Sequence, residues 1–127
     1  MTEIFCVGAG GFIGANLRYG LTKLFAVTSI SLPMGTLLSN IIAGFFIGVF
    51  IAAENITGMP TGRQKLFLTT GLLGGLSTFS AFSLETVQLF QSGRHLLGVA
   101  NVGLNLCLSI LGVILGMAAV KLLLKQS

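Results

Sequence analysis

The stretch "GLLGGLSTFSAFSLE", residues 71–85, places four hydroxyl groups and one carboxylate inside a strongly apolar chain. Its first half pairs Gly74 with Gly75 and then continues with Ser77 and Thr78, and such residues hold a straight helix poorly. A helix broken at this point would free backbone carbonyl oxygens, which lipid cannot satisfy. The interpretation of this stretch therefore depends on whether a membrane surrounds it.

The composition indicates that it does. The chain has 127 residues, of which 54% are hydrophobic and only 8% are charged, whereas about 25% are charged in an average soluble domain. Four segments have the roughly 20 residues needed to cross a bilayer as helices, at approximately 4–25, 32–53, 64–90 and 96–124. The sequence therefore predicts an all-α membrane protein with a single domain, 1–127, of four transmembrane helices.

Two classes of function are excluded by the residues. The net charge of +4 comes from Lys and Arg residues that flank the apolar segments without forming a basic run, so a nucleic-acid partner is not expected. The chain also lacks paired carboxylates, a base near a candidate nucleophilic Ser, and a His or Cys cluster, so an enzyme is not expected.

The positive charges hardly distinguish the two membrane faces. With four helices, one face carries Arg63, Lys65, Lys121 and Lys125, and the other carries Arg18, Lys23 and Arg94. A weak Lys/Arg bias favours insertion in both orientations, and two antiparallel copies would supply the inverted symmetry on which many transporters are built. The alternative is that Arg18 lies within the first helix, which would restore a modest bias.

The third helix is predicted to break near Gly74–Thr78. Freed carbonyl oxygens suit a hard cation such as Na⁺, so two broken helices meeting at a dimer axis could hold one. The alternative is ordinary packing of glycines between helices.

Beyond the break, Phe79 and Phe82 are three residues apart and share one helix face with nearby hydroxyl groups such as Ser80. Phe ring edges carry partial positive charge, so this face could guide a small anion. The alternative is that both rings serve only in packing.

Asn40 lies near the middle of the second predicted helix, where its amide needs a partner, and its two N–H groups suit an anion or another helix. In the fourth helix, Asn101, Asn105 and Ser109 recur at intervals of four. They form one polar stripe, which lines either a pore or a helix contact.

Three motifs resemble those of the Fluc (CrcB) family of fluoride channels, namely "GLLGGLSTFSAFSLE", "GTLLSN" and "GANLRYG". The resemblance covers the whole chain in order and spacing. It implies an antiparallel, dual-topology dimer with two fluoride pores and one central structural Na⁺, located in a bacterial plasma membrane. Many members carry Tyr where this chain has Asn101. Because the Asn and the Phe pair are retained, a homodimer is expected.

The resemblance also implies residue roles by motif position. The Na⁺ would be bound by backbone carbonyls of Gly74 and Ser77, and the fluoride pathway would include Asn40, Thr78, Phe79, Ser80, Phe82 and Ser109.

The function implied is passive export of cytoplasmic fluoride, which relieves fluoride toxicity. An inside-negative potential drives an anion outward at about 2.3 kcal/mol per 100 mV, so no ATP is needed. The alternative is a small multidrug-resistance-type antiporter, which trades protons for cations through a carboxylate in its first helix. Here the first segment has no acid beyond Glu3, and the chain has no Trp.

Overall fold

A computed structural model describes residues 1–27 and 31–124, and Lys125 of the charge comparison therefore lies outside the described residues. The helices are α1 (Thr2–Ala26), α2 (Met34–Thr57), α3 (Gly62–Lys65), a π-helical segment (Leu66–Leu73), α4 (Gly74–Leu76), α5 (Phe79–Gln91) and α6 (His95–Leu124). Helices joined by short connections account for nearly all of the described chain. The predicted all-α fold is confirmed.

Within residues 1–27 and 31–124, three stretches are long and apolar enough to cross a membrane. They are Met34–Thr57, Gly62–Gln91 and His95–Leu124, with mean hydropathies of 2.1, 1.3 and 2.4. Helix α1 is about 37 Å long at 1.5 Å per residue, which exceeds a hydrocarbon core of about 30 Å. It falls short of the other three in composition, because Asn16, Arg18 and Lys23 dilute its apolar residues.

The distribution of polar and apolar residues suits a lipid environment. The largest fully buried side chains are the polar Asn101 and Ser39. Ile110 and Ile114, in contrast, are 60% and 56% exposed. In water this arrangement would leave large apolar surfaces unprotected, whereas in a bilayer those surfaces contact lipid tails.

Glycines allow the helices to approach closely in two places. In α1, Gly10 and Gly14 are buried against backbone atoms of the π-helical segment and of α4. In α2, Gly44 and Gly48 face α6, and a Cβ on Gly44 would lie 2.7 Å from the Ser109 carbonyl oxygen. The fold is therefore two helix pairs in backbone contact, α1 with the first half of the third span and α2 with α6.

The predicted break in the third span is confirmed. Helix α4 ends at Leu76, and Ser77 and Thr78 have extended backbones with ψ of 153° and 119°. Thr78 then caps the new helix, because its hydroxyl oxygen accepts a hydrogen bond from the Ala81 N–H at 3.3 Å. The preceding π-helical segment was not predicted from the sequence. The break divides the span into two half-helices.

Candidate ion pathway

The helix break frees backbone carbonyls near the middle of the third span, because the N–H groups that would bond them in a continuous helix are displaced. The Gly75 carbonyl oxygen accepts a hydrogen bond from Arg18 Nε at 3.3 Å. Arg18 stands eight residues before the end of α1, about 12 Å along the helix axis. It therefore lies inside the first helix and caps the break.

This position changes the comparison of charges between the two membrane faces. Without Arg18, four basic residues (Arg63, Lys65, Lys121 and Lys125) stand against two, Lys23 and Arg94. The alternative in which Arg18 belongs to the helix interior is the one that the geometry favours. The Lys/Arg bias is modest rather than absent.

The carbonyl oxygens of Gly74 and Ser77 remain available. Both the N–H and the hydroxyl of Ser77 donate to the Leu73 carbonyl, at 2.9 Å and 3.0 Å. Among the described hydrogen bonds across the break, none ends on the carbonyl oxygen of Gly74 or Ser77. Oxygen atoms of this kind are ligands for a hard cation and are poor ligands for a soft metal.

Asn40 joins α2 to the break. Its side-chain oxygen accepts a hydrogen bond from the Thr78 N–H at 2.8 Å. Its NH₂ donates to Asn105 Oδ1 at 2.9 Å and approaches the Thr78 carbonyl oxygen at 3.4 Å. Within one chain, this residue therefore connects the second helix, the broken third span and the fourth helix.

The hydrogen bonds continue beyond Asn40. Asn105 Nδ2 donates to Asn101 Oδ1 at 3.0 Å, and Asn101 Nδ2 donates to the Thr86 hydroxyl at 2.9 Å. The Thr86 hydroxyl in turn donates to the Phe82 carbonyl at 2.7 Å. We refer to Asn40, Asn105, Asn101 and Thr86 as the amide network.

A cavity of about 410 Å³ lies beside the break, between α2, the third span and α6. It is bordered by backbone and side chains of Asn40, Ala43, Gly44, Ile47, Thr69, Leu73, Gly74, Ser77, Thr78, Phe79, Phe82, Asn105, Leu106, Ser109, Ile110 and Val113. None of these residues carries a formal charge. The cavity thus combines an apolar wall with amide and hydroxyl donors, and no acid at its border would repel an anion.

Phe79 and Phe82 both border this cavity but differ in exposure. Their ring centroids are 5.4 Å apart, with planes inclined by 59°. The Phe82 side chain is 8% exposed, whereas that of Phe79 is 76% exposed. Phe82 is therefore held in place by its own chain, whereas the Phe79 ring is exposed at the edge of the cavity.

Two hydroxyl groups add donors to the cavity border. Ser109 Oγ is buried and has no hydrogen-bond partner among the described residues. Thr78 Oγ1 lies 3.3 Å from Ser80 Oγ, and Ser80 is exposed. A buried hydroxyl without a partner costs free energy unless a ligand or water pairs with it, so the Ser109 hydroxyl is available to a ligand or water in the cavity.

Residues 5–117 match the model of the family described as "CrcB-like protein, Camphor Resistance (CrcB)". The chain belongs to the CrcB-like family. It is a multi-pass membrane protein, as the three long apolar stretches also indicate.

Curated relatives of this CrcB-like chain carry a common name. A fluoride-specific ion channel FluC of Clostridium novyi (strain NT) is 47% identical over 120 residues, which cover 91% of each chain. Proteins of the same name from Clostridium perfringens (strain 13 / Type A) and Aeromonas salmonicida (strain A449) are 42% and 43% identical. These alignments cover 92% of each chain for the first, and 90% of this chain and 92% of the relative for the second.

The polar stripe of the fourth helix in this CrcB-like chain has two kinds of surroundings. Asn101 and Asn105 are 0% and 4% exposed and bond to other helices or to each other. Ser109, one turn further, has no such bond in the described region; it borders the cavity, as Asn105 also does. The interval of four placed all three residues on one face, but it could not show where helix contact gives way to the cavity.

One polar contact had no signal in the sequence. Thr36 Oγ1 donates to Glu85 Oε1 at 2.6 Å, although the two residues are 49 positions apart. Both border a second cavity of about 300 Å³ near the ends of α1 and α5, which Arg94 also lines. Glu85 is therefore separate from the uncharged cavity at the break.

Proposed function

We propose that this chain is a passive, fluoride-selective anion channel that exports cytoplasmic fluoride. The observation that carries the proposal is the uncharged cavity at the helix break, where Asn40, Ser109 and Phe82 bring an amide, an unpaired hydroxyl and an aromatic ring together. The relatives named fluoride-specific ion channels support the choice of ion. Bacterial relatives support a plasma-membrane location.

The chemistry required is the replacement of the tight hydration shell of fluoride in steps. In this proposal, N–H and O–H donors of Asn40, Thr78, Ser80 and Ser109 replace water molecules along the pathway. The edges of Phe79 and Phe82 supply partial positive charge without a cation that would trap the ion. The membrane potential supplies the driving force, and no covalent step is involved.

A second copy of the chain in the opposite orientation is the partner that we propose for the open cavity. Phe79, at 76% exposure, projects from a broken helix whose free carbonyls border the same cavity. A two-fold axis in the membrane plane would bring two such faces together and create two equivalent pathways. The remaining charge bias of four against two is compatible with insertion in both orientations, and the resemblance described above implies this arrangement.

Dual topology predicts partial labelling of loops on both membrane faces. Asn55 and Gln91 are exposed at the ends of α2 and α5, respectively. In variants that lack Cys6 and Cys107, either Asn55→Cys or Gln91→Cys should react with a membrane-impermeant thiol reagent in about half of the molecules in intact cells, because half of the copies face each way. Permeabilised cells provide the measure of complete labelling. Full labelling at one position with none at the other would exclude dual topology.

We further propose that Gly74 and Ser77 hold one structural Na⁺ through their backbone carbonyls. Their free carbonyl oxygens, exposed by the break, fit a hard cation, and the same two residues border the face proposed to meet a second copy. When bound, the ion would neutralise the carbonyl dipoles that converge there.

The expected consequence is a dimer that depends on Na⁺ but does not conduct it. Prolonged exchange of Na⁺ for N-methylglucamine, which is too large to fit, should lower both the dimer fraction and fluoride flux. Ser77→Ala should respond as the parent does, because the ligand is the carbonyl and not the hydroxyl. Size-exclusion chromatography and flux measurements check this. A dimer that keeps its assembly and its flux without Na⁺ would refute the proposed ion site.

Ion efflux from liposomes that contain only the purified chain tests the function. Fluoride should leave rapidly under a K⁺ diffusion potential, chloride should not, and a proton gradient should be unnecessary. The antiporter is not favoured because no acid borders the cavity, and it would instead require proton exchange. Absence of fluoride efflux from liposomes with folded dimer would reject the proposal.

A further inference from the structure

The hydrogen bonds of the amide network all run the same way, so that each group donates to the next one. The Thr78 N–H donates to Asn40, Asn40 donates to Asn105, and Asn105 donates to Asn101. Asn101 then donates to the Thr86 hydroxyl, which donates to the Phe82 carbonyl. The first group belongs to the residue that caps α5 and the last lies within α5, so the bonds leave the start of α5, cross α2 and α6, and return to α5.

Backbone groups at the two ends fix this direction. A backbone N–H such as that of Thr78 can only donate, and a carbonyl such as that of Phe82 can only accept. Rotating the Asn40 amide by 180° would place its NH₂ against the Thr78 N–H and its oxygen against Asn105 Oδ1. Each of the three amides therefore has one orientation in which every bond is made. That of Asn40 is set by the Thr78 N–H and by Asn105, and Asn105 is in turn oriented through the rest of the network.

The orientation matters because of the second N–H of Asn40. One N–H is used by Asn105 at 2.9 Å, while the other has only the Thr78 carbonyl at 3.4 Å, a long and weak contact. Asn40 also borders the cavity at the break. An anion there could take this N–H at little cost, whereas a flipped amide would present an oxygen to it.

We propose that Asn101, Asn105 and Thr86 are positioning residues, which hold the Asn40 amide with its N–H directed to the conducted anion. This rests on the proposed fluoride channel and extends it beyond the residues that border the cavity. Asn101 and Thr86 do not border the cavity, and they are 0% and 8% exposed. They act through hydrogen bonds alone.

Thr86 offers a matched pair of variants. Thr86→Val replaces the hydroxyl by a methyl group of similar size and leaves Asn101 Nδ2 without its acceptor, whereas Thr86→Ser keeps the hydroxyl. We expect Val to lower fluoride flux by about tenfold or more, the effect of leaving one buried donor unpaired. Ser should stay within about twofold of the parent on the same scale.

A second measurement separates positioning from a merely structural role. The fluoride concentration at half-maximal flux should rise in Thr86→Val and remain unchanged in Thr86→Ser. In NMR spectra, fluoride should shift the Asn40 side-chain amide signals of the parent and the Ser variant but not those of the Val variant. A structural defect would lower the amount of folded dimer without moving the half-maximal concentration of the molecules that remain.

The test distinguishes failure of the positioning proposal from failure of the proposed channel function. If the parent conducts fluoride and Thr86→Val matches it in flux and half-maximal concentration, the positioning proposal is overturned while the channel stands. If the parent does not conduct fluoride, the proposed function fails, and the positioning proposal fails with it. If Thr86→Val does not fold, Thr86→Cys replaces it, because a thiol is only a weak hydrogen-bond acceptor. An unchanged half-maximal fluoride concentration in Thr86→Cys would also overturn the proposal.

Discussion

Replacement of Asn40 by Asp is expected to reduce fluoride efflux about 1000-fold. A carboxylate at this position would face an entering anion, and two like charges about 4 Å apart at an effective dielectric constant of 20 repel by about 4 kcal/mol, a factor of roughly 1000 in rate. The change also removes the N–H that donates to Asn105 Oδ1. Efflux from liposomes, normalised to the amount of dimer, provides the measurement.

The chain offers a control for this variant in the same helix. Asn55 lies near the end of α2, is exposed, and is far from the cavity. Asn55→Asp makes the same chemical change and should keep efflux within about twofold of the parent, since an exposed charge is screened by water and salt. Full efflux through Asn40→Asp, with the dimer intact, would remove Asn40 from the pathway.

The helix break was predictable because its signal is local. Gly74, Gly75, Ser77 and Thr78 disfavour a straight helix through properties of their own backbones and side chains, and the structure breaks the helix at Ser77 and Thr78. The need of Asn40 for a partner was predictable in the same way, because an isolated amide is costly in an apolar segment. Local composition was sufficient for both.

The identity of the partners was not predictable, because partners come from tertiary packing. Asn40 bonds to groups 38 and 65 residues away. The position of Arg18 beside the helix break is likewise visible only from its contact with the Gly75 carbonyl, 57 residues away. A periodic pattern in one helix assigns a face to a residue, but only the packed neighbour decides whether that face meets a helix or a cavity.

The geometry also explains why the sequence allowed two interpretations of Asn40. A helix contact and an anion contact were alternatives in the sequence, yet the geometry permits both, because one N–H bonds Asn105 and the other remains weakly engaged. For the glycines near the break, both interpretations of the sequence also apply. Gly75 faces Gly11 of α1 closely, while the carbonyl of Gly74 stays available. Close packing and freed carbonyls are both features of this break.

Gly14→Ala is expected to have the largest effect on stability, because it separates the first helix from the third span. A Cβ at Gly14 would overlap the Leu72 carbonyl oxygen and lie 2.8 Å from the Leu76 N. These are backbone atoms, which cannot rotate away as a side chain would. Overpacking of this kind costs about 3 kcal/mol or more, even though Ala is otherwise favoured over Gly in a helix by about 1 kcal/mol.

Gly8→Ala in the same helix is the matched control, because a Cβ built there would meet no atom of another helix within 4 Å in the described part of the chain. It should leave the thermal midpoint of the detergent-solubilised dimer unchanged or slightly raised, since Ala loses less backbone entropy than Gly on folding. Gly14→Ala should instead lower that midpoint strongly and reduce the yield of dimer. The loss of stability should also disturb the ion pathway, because α1 supplies Arg18, which caps the break by donating to the Gly75 carbonyl. Equal midpoints for the two variants would mean that α1 does not pack against the broken span through Gly14, and the support that this helix gives to the break would have to come from elsewhere.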